Sequence, residues 1–164
     1  MSPLELIRAR REHATRLANQ SGAAGERATL AEMEHWLPRP AGAGLKVLLE
    51  TLREEGITIK GSSFDAIHVA GVAALDFLDK LLVQRLLPAM TFIEIKTSSQ
   101  PRVKPGFEGL FFALTEGEMI AAEALGGRHR VALFNKISGE ILLTSVSEIL
   151  SKAKSSNWQL SVQL

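Results

Sequence analysis

The spacing of apolar residues predicts helices in the first third of the chain and a mixture of helices and strands after it. Between Leu45 and Glu55, leucines recur at intervals of three and four residues, as they do on the buried face of a helix, and Gly56 ends the pattern. The same spacing predicts further helices over residues 3–20, 26–37 and 73–87. The Pro- and Gly-rich residues 38–44 predict a loop.

Short apolar runs bounded by turn residues predict the strands. These runs are ITIK (57–60), FDAIHVA (64–70), residues 90–97, RHRVALFN (128–135), EILLT (140–144) and WQLSVQL (158–164). Two sequences, TEGE (115–118) and SVSE (145–148), have the form of a capping box and predict helix starts. We therefore expect a single α/β domain over residues 1–164, in which 1–44 form a helical N-terminal extension and 45–164 form the α/β core.

Composition narrows the setting of the protein but indicates no activity. The 164 residues carry a net charge of +1, so an anionic partner would have to meet a local basic patch. The chain has no cysteine, which excludes disulfides, thiolate metal sites and cysteine nucleophiles. The most apolar segment, 70–90, contains four charged residues, and the start of the chain is too charged for a secretory signal. We expect a cytoplasmic protein without membrane spans.

The candidate chemistry lies in FIEIKTSS (92–99), where two charged residues interrupt an apolar strand. Successive side chains of a strand point to opposite faces, so Glu94 and Lys96 share one face and the neighbouring isoleucines share the other. Asp65 lies in the preceding apolar strand. If the two strands are neighbours, Asp65 and Glu94 converge, and two converging carboxylates repel unless a cation lies between them. Oxygen ligands favour Mg²⁺, and a lysine beside the ion suits phosphodiester hydrolysis.

A simpler interpretation of the same pattern is an edge strand with one solvated face. Glu94 and Lys96 would then form a surface ion pair worth under about 1 kcal/mol. The presence of Asp65 on the preceding strand and the order of the predicted elements favour the catalytic interpretation.

That order, helix, strand, strand with aspartate, strand with Glu-x-Lys, helix, strand, resembles the αβββαβ core of the PD-(D/E)XK nuclease superfamily. The resemblance covers residues 45–135: FDAIHVA is similar to the aspartate strand, FIEIKT to the Glu-x-Lys strand, and residues 111–135 to the helix and strand that follow. It implies a restriction-endonuclease-like fold in which Asp65, Glu94 and the backbone carbonyl of Ile95 bind Mg²⁺, with Mn²⁺ as a substitute. By the same resemblance Asp65, Glu94 and Lys96 would be the catalytic residues.

Further candidates have a simple structural alternative. Many members of the superfamily take another acidic ligand from the helix before the first strand, and Glu50 is the candidate here; the alternative is a solvated helix face. Arg102 and Lys104 lie on a Pro-restrained loop and are candidate DNA-binding residues, as are Arg128 and Arg130, which we expect on one face of a strand. Solvated surface is the alternative for all four.

Two groups of residues receive a structural interpretation. Glu118 lies close to the nuclease-like motif in sequence, but the capping box already accounts for it. The four histidines show no metal-ligand spacing, and we expect each to be a packed or a surface residue.

The sequence therefore predicts a Mg²⁺-dependent endodeoxyribonuclease, a metal-dependent nuclease with DNA as its partner. A catalytically inactive nuclease fold that binds DNA or serves in assembly is the alternative. One such centre cuts one strand, so double-strand cleavage would require a homodimer or two events. The predicted C-terminal strand, 158–164, is a candidate surface for dimerisation.

Overall fold

A computed structural model describes residues 2–5, 33, 35–157 and 162–163 and confirms the predicted α/β class. Its strands are β1 (Leu37–Pro38), β2 (Ala66–His68), β3 (Thr91–Ser98), β4 (His129–Asn135) and β5 (Ile141–Thr144). Its helices are α1 (Gly42–Glu54), α2 (Lys80–Leu86), α3 (Glu116–Leu125) and α4 (Val146–Lys152). Short 3₁₀ turns cover Gly61–Ser63, Leu87–Ala89, Pro105–Phe107 and Gly126–Arg128.

The five strands form one mixed sheet in the order β1-β2-β3-β4-β5. The strands β1, β2 and β3 pair antiparallel, β3 and β4 pair parallel, and β5 returns antiparallel to β4. Parallel neighbours need a crossover connection, and α3 lies in the one between β3 and β4. The central strand, β3, is therefore followed directly by the loop and helix that lead across the sheet.

Separate hydrophobic clusters cover the two faces of β3. Ile93 and Ile95 pack on one face, in a cluster that also contains Leu4, Met33 and Trp36. These three described residues from the predicted N-terminal extension therefore belong to the core of the sheet. Phe92 lies on the other face, in a cluster formed with apolar residues of α1, α2 and α3. The polar residues of β3 that share a face with Phe92 therefore lie beneath helices.

The strand predicted at ITIK (57–60) is absent. Its two isoleucines are half-buried and alternate with exposed residues, as in a strand, but the segment joins no sheet among the described residues. The free edge of β2 is instead occupied by β1. Because a predicted strand is missing, the αβββαβ order is not reproduced in that form, and the restriction-endonuclease-like core stays a prediction.

The helix predicted over 73–87 is shorter and begins at Lys80. Asp76 Oδ1 accepts the N–H of Leu78 at 2.9 Å, and Asp79 Oδ1 accepts the N–H of Leu82 at 3.1 Å. Aspartate side chains compete with a helix for backbone donors and favour its cap, so residues 73–79 are not helical and α2 starts after Asp79. The first predicted core helix, in contrast, starts three residues earlier, at Gly42 rather than residue 45.

Of the two predicted capping boxes, one is confirmed and the other is half formed. Thr115 Oγ1 accepts the N–H of Glu118 at 3.2 Å, and Glu118 Oε2 accepts the N–H of Thr115 at 3.0 Å. Ser145 Oγ accepts the N–H of Glu148 at 3.2 Å, but the Glu148 carboxylate accepts the Thr144 hydroxyl instead of closing the box. The helices α3 and α4 nevertheless begin at the predicted positions, because one capping bond at each is enough to satisfy a free donor.

Most of the predicted helices over 3–20 and 26–37 and most of the predicted strand over 158–164 lie outside the described residues. Residues 3–5 are helical, and Val162 and Gln163 belong to no strand. The described part of the chain contains no helix long and apolar enough to cross a membrane.

Candidate active site

Glu94 and Lys96 lie side by side on the helix-covered face of β3. The Lys96 Nζ atom is 3.3 Å from Glu94 Oε1, while Ile93 and Ile95 belong to the cluster on the opposite face. The side chains of Glu94 and Lys96 are only 9% and 16% exposed. The alternation of faces is confirmed, and the interpretation of Glu94 and Lys96 as a solvated surface pair is wrong.

A second carboxylate, from α3, holds Lys96 more closely. Lys96 Nζ donates to Glu118 Oε1 at 2.7 Å, and the Glu118 side chain is 5% exposed. The other oxygen of Glu118 accepts the N–H of Thr115 in the capping box. One carboxylate therefore fixes both the start of α3 and the position of the lysine.

The structural interpretation of Glu118 from the sequence was incomplete. A capping box uses one oxygen of the carboxylate and leaves the second one free for another donor. The available signal was the position of the box at the start of α3, on the connection that leads from the Glu-x-Lys strand to its parallel neighbour.

Asp65 lies immediately before β2 and contacts β3 on both sides of Glu94. Its N–H donates to the carbonyl oxygen of Ile93 at 2.8 Å, and its Oδ2 accepts the N–H of Ile95 at 2.9 Å. Because residues 93 and 95 flank Glu94, these two bonds hold the backbone and carboxylate of Asp65 beside it. The structure therefore brings together Asp65, Glu94 and Lys96. Ile95 pairs with Ala132 of β4, and metal binding by its carbonyl stays a prediction.

The surroundings of Glu94 disfavour its charged form. Burial raises its pKa most and the nearby Asp65 carboxylate raises it further, so that the pKa of Glu94 reaches about 8 although Lys96 acts in the opposite direction. Glu94 Oε2 is buried and has no hydrogen-bond partner among the described residues. Buried polar atoms normally have a partner, so this oxygen marks a position that suits a cation.

The donor set fits a divalent cation in charge and in ligand type. Two carboxylates, from Glu94 and Glu118, contact the ammonium of Lys96, and the carboxylate of Asp65 lies close enough to Glu94 to raise its pKa. Mg²⁺ is commonly bound through one or two carboxylates and completes its coordination with water and substrate phosphate. Within the described ranges, no three His, Asp or Glu side chains are arranged to hold an ion by themselves. The geometry thus suits an ion held by Asp65 and Glu94 and completed from solvent and substrate.

Glu50 does not join this group. It lies on α1 with its carboxylate 3.9 Å from Lys46 Nζ, and its side chain is 43% exposed. Leu48, two residues earlier, faces the core, and two residues turn a helix by about 200°. No hydrogen bond or ion pair between described residues connects Glu50 with Asp65 or Glu94, so the structure does not support Glu50 as a metal ligand.

His129, at the start of β4, is a packed histidine, as expected. Its Nε2 atom lies 3.2 Å from the carbonyl oxygen of Ser63. Burial lowers the pKa of His129, and this effect exceeds the opposing influence of the Ser63 hydrogen bond and of the Glu118 carboxylate. The lowered pKa favours the uncharged imidazole, so His129 adds no full positive charge near Glu118.

Arg128 and Arg130 do not share a strand face. Arg128 lies in the turn before β4 and donates to the carbonyl oxygen of Leu87 at 2.9 Å. Arg130 is paired in register with Ile93, so it lies on the sheet face opposite Glu94. The prediction that these two arginines share one strand face is therefore wrong, and their role in DNA binding stays a prediction.

Arg102 and Lys104 remain candidates for phosphate contacts. Both are exposed on the loop between β3 and α3, and neither forms an ion pair with another described residue. Their charges are thus available to a partner from solution.

Comparisons of the chain with protein-family models, with curated proteins and with solved structures found no match. The arrangement of Asp65, Glu94, Lys96 and Glu118 is therefore the main indication of function.

Proposed function

We propose that the protein is a Mg²⁺-dependent endodeoxyribonuclease of the PD-(D/E)XK type. The observation that supports it most is the buried Glu94 carboxylate, with one oxygen near Lys96 and the other without a donor in the described part of the chain. A cluster with a structural role alone would be expected to pair both oxygens. The proximity of Asp65 makes a cation the natural partner for the unpaired oxygen.

In this proposal Asp65 and Glu94 hold the ion. Mg²⁺, when bound, supplies stabilisation for the negative charge that develops on the phosphate during hydrolysis. The N–H of Ile95 donates to Asp65 Oδ2 and keeps this carboxylate in position next to β3. Glu94 must lose its proton to bind a metal. The positive charge of the ion would offset the repulsion between Glu94 and Asp65 and so favour that loss.

Lys96 acts on the substrate directly. An ammonium group has three donors, and two of those of Lys96 face Glu118 and Glu94. The third is left for the attacking water or for a phosphate oxygen, where it would stabilise the charge of the transition state. Glu118 acts through Lys96 and is a positioning residue. The reaction needs no covalent nucleophile, since water attacks phosphorus and the P–O bond to the leaving oxygen breaks.

The second candidate is the same fold acting as a DNA-binding or assembly module without cleavage. The observation that favours it is the lack of a complete three-ligand group among the described residues. In that case the exposed Arg102 and Lys104 would still bind phosphates, while the buried carboxylates would serve stability alone.

Nicking of supercoiled plasmid in Mg²⁺ or Mn²⁺, with EDTA as control, tests the proposal. Lys96→Ala should reduce the rate at least about a hundredfold, as the loss of a transition-state donor does. Lys80→Ala is the matched control, because it removes a lysine from an exposed ion pair with Glu54 and should leave nicking unchanged.

The outcomes separate the candidates. DNA binding without nicking would support the module and contradict the nuclease. Nicking that persists in EDTA or in a folded Lys96→Ala variant would also contradict the proposed site. The absence of both DNA binding and nicking would exclude the nuclease and the DNA-binding module, and would leave only an assembly role.

A further inference from the structure

The loop between β3 and α3 holds an aromatic side chain in an exposed position. Phe111 is 66% exposed. Its backbone is held by the side chain of Gln100, whose Nε2 donates to the Phe111 carbonyl oxygen at 2.6 Å and whose Oε1 accepts the Phe111 N–H at 3.3 Å. Gln100 thereby closes the segment 100–111 into a compact loop, here named the clamp loop. The ring of Phe111 projects from a backbone that is fixed at that residue.

The clamp loop is also anchored from within. Phe107 is buried against Val131 and Leu133, with a φ of 62° that bulky residues rarely adopt. The N–H of Lys104 donates to the carbonyl oxygen of Glu108 at 2.9 Å. A backbone held at several points pays little ordering entropy when a ligand contacts it, so Phe111 is pre-organised for binding.

The charge of the clamp loop indicates the class of its partner. Arg102 and Lys104 are exposed and have no ion pair within the described ranges, whereas Glu108 is paired with Lys154 at 3.5 Å. The loop therefore carries an exposed aromatic ring and two positive charges that form no ion pair with a described residue. Proteins bind single-stranded nucleic acids with this combination, in which cations contact the backbone and aromatic rings stack on bases.

The clamp loop is also close to the candidate active site along the chain. Gln100 lies four residues after Lys96, and Phe111 lies four residues before Thr115, which is hydrogen-bonded to Glu118. Four residues span at most about 14 Å even when fully extended. The clamp loop therefore lies within reach of a DNA strand that places a phosphate at Lys96.

We propose that Phe111 stacks on an unpaired base beside the scissile phosphate while Arg102 and Lys104 contact flanking phosphates. This inference rests on the proposed nuclease function and names its substrate class, DNA that carries single-stranded nucleotides, such as a fork, a flap or a free single strand. Duplex bases are already stacked on each other and cannot offer a face to the ring.

Binding is measured by fluorescence anisotropy in EDTA with a labelled duplex, a fork and a single strand of one sequence. Phe111→Ala should weaken binding to the fork and the single strand about tenfold, with little change for the duplex. Phe111→Trp should restore binding, because it keeps an aromatic face. Leu81→Ala removes a comparably exposed apolar side chain, 78% exposed on α2, and should have no effect.

The two cations have a different expected signature. The double variant Arg102→Ala, Lys104→Ala should weaken binding to all three DNAs. On the single strand, the slope of log affinity against log salt should become shallower by about 1.4, or about 0.7 for each lost phosphate contact. The Phe111→Ala variant should leave that slope unchanged.

Three results would overturn the inference. They are an equal loss for duplex and fork in Phe111→Ala, no loss at all, or a lowered melting temperature, which would show that the ring packs against protein. If plasmid nicking depends on Lys96 but Phe111→Ala binds normally, the nuclease stands and the stacking role fails. If Phe111→Ala loses single-strand binding and no metal-dependent cleavage of the plasmid, the fork or the single strand occurs, the stacking role stands and the nuclease fails.

Discussion

Of the glutamate–lysine pairs among the described residues, one exposed pair and one buried pair differ in the direction in which the pKa of the glutamate is shifted. In the exposed pair, Glu54 of α1 and Lys80 of α2 are 50% and 45% exposed, and the Lys80 hydrogen bond lowers the pKa of Glu54. In the buried cluster, formed by Asp65, Glu94, Lys96 and Glu118, the pKa of Glu94 rises to about 8 although a lysine lies beside it. Burial and a second carboxylate outweigh the attraction of the lysine.

This contrast shows what a contact between opposite charges can and cannot indicate. The exposed pair joins two helices and leaves both groups in water, so it requires no role beyond a surface contact. The buried cluster places more carboxylates than ammonium groups in a poorly solvated position, which is electrostatically unfavourable. The environment of the pair, rather than the distance between its atoms, separates a structural contact from a candidate site.

Removing the lysine from each place should give the largest contrast. Lys96→Met leaves Glu94 and Glu118 buried without their cation, and we expect the free energy of unfolding at pH 8 to fall by about 3 kcal/mol. Lys80→Met should leave the urea midpoint unchanged, because Glu54 stays solvated. Equal midpoints for the two variants would show that the cluster is not under the electrostatic stress described here.

The second largest expected effect is on the pH dependence of stability, which should differ between Glu94 and Glu54. The ordinary pKa of glutamate is 4.5 and that of folded Glu94 is about 8, so between these values the folded protein holds a proton that the unfolded chain has lost. Stability therefore decreases as the pH rises through this window. Between pH 7 and 8 the free energy of unfolding of the metal-free protein should fall by about 1 kcal/mol.

Urea unfolding in EDTA at the two pH values measures this slope. The lowered pKa of buried His129 acts in the other direction, since it costs stability as the pH falls below 6.5, and so it does not contribute between pH 7 and 8. Glu94→Gln should abolish the slope. Glu54→Gln should retain it, because the hydrogen bond with Lys80 lowers the pKa of Glu54 and its titration therefore lies far below this pH window. A slope that survives Glu94→Gln would assign it to another group.

The smallest expected effect is that of weakening the start of α3, which holds Glu118 against Lys96. The exposed pair has no such supporting contact from a third element among the described residues. Thr115→Ala and Ser145→Ala each remove one N-cap acceptor and should each lower the free energy of unfolding by about 1 kcal/mol. Only Thr115→Ala loosens the helix start that aims Glu118 at Lys96, so only this variant should also slow plasmid nicking. Equal nicking by the two variants would remove Glu118 from its positioning role.

The sequence predicted the parts of the fold that depend on local pattern. The alternation in FIEIKT placed Glu94 and Lys96 on one face, and the Thr-x-x-Glu pattern placed the start of α3. Periodicity does not reveal which segments pair, however: ITIK joins no sheet among the described residues, and β1 pairs with the edge of β2. It also does not reveal that Asp76 and Asp79 bond their own neighbouring N–H groups and delay the start of α2.

The candidate site was predictable in its strand residues and not in its helix residues. Glu94 lies on β3 and Asp65 comes immediately before β2, the antiparallel neighbour of β3, so their proximity follows from strand pairing. The contact between Lys96 and Glu118 joins residues 22 positions apart across a loop, and only the three-dimensional path of that loop brings them together. Glu50 failed as a ligand for a related reason, because the rotation of α1 about its axis is set by Leu48 and Leu52 packing against the sheet.

Titration of the metal-free protein with Mn²⁺ at pH 8, followed by calorimetry, asks whether the unpaired oxygen of Glu94 is a metal position. We predict one ion per chain in the wild-type protein and in Glu54→Gln, with binding at least about tenfold weaker in Asp65→Asn and in Glu94→Gln. Heat of binding that is the same in all four proteins, or absent from the wild type at millimolar Mn²⁺, would contradict a metal site between Asp65 and Glu94.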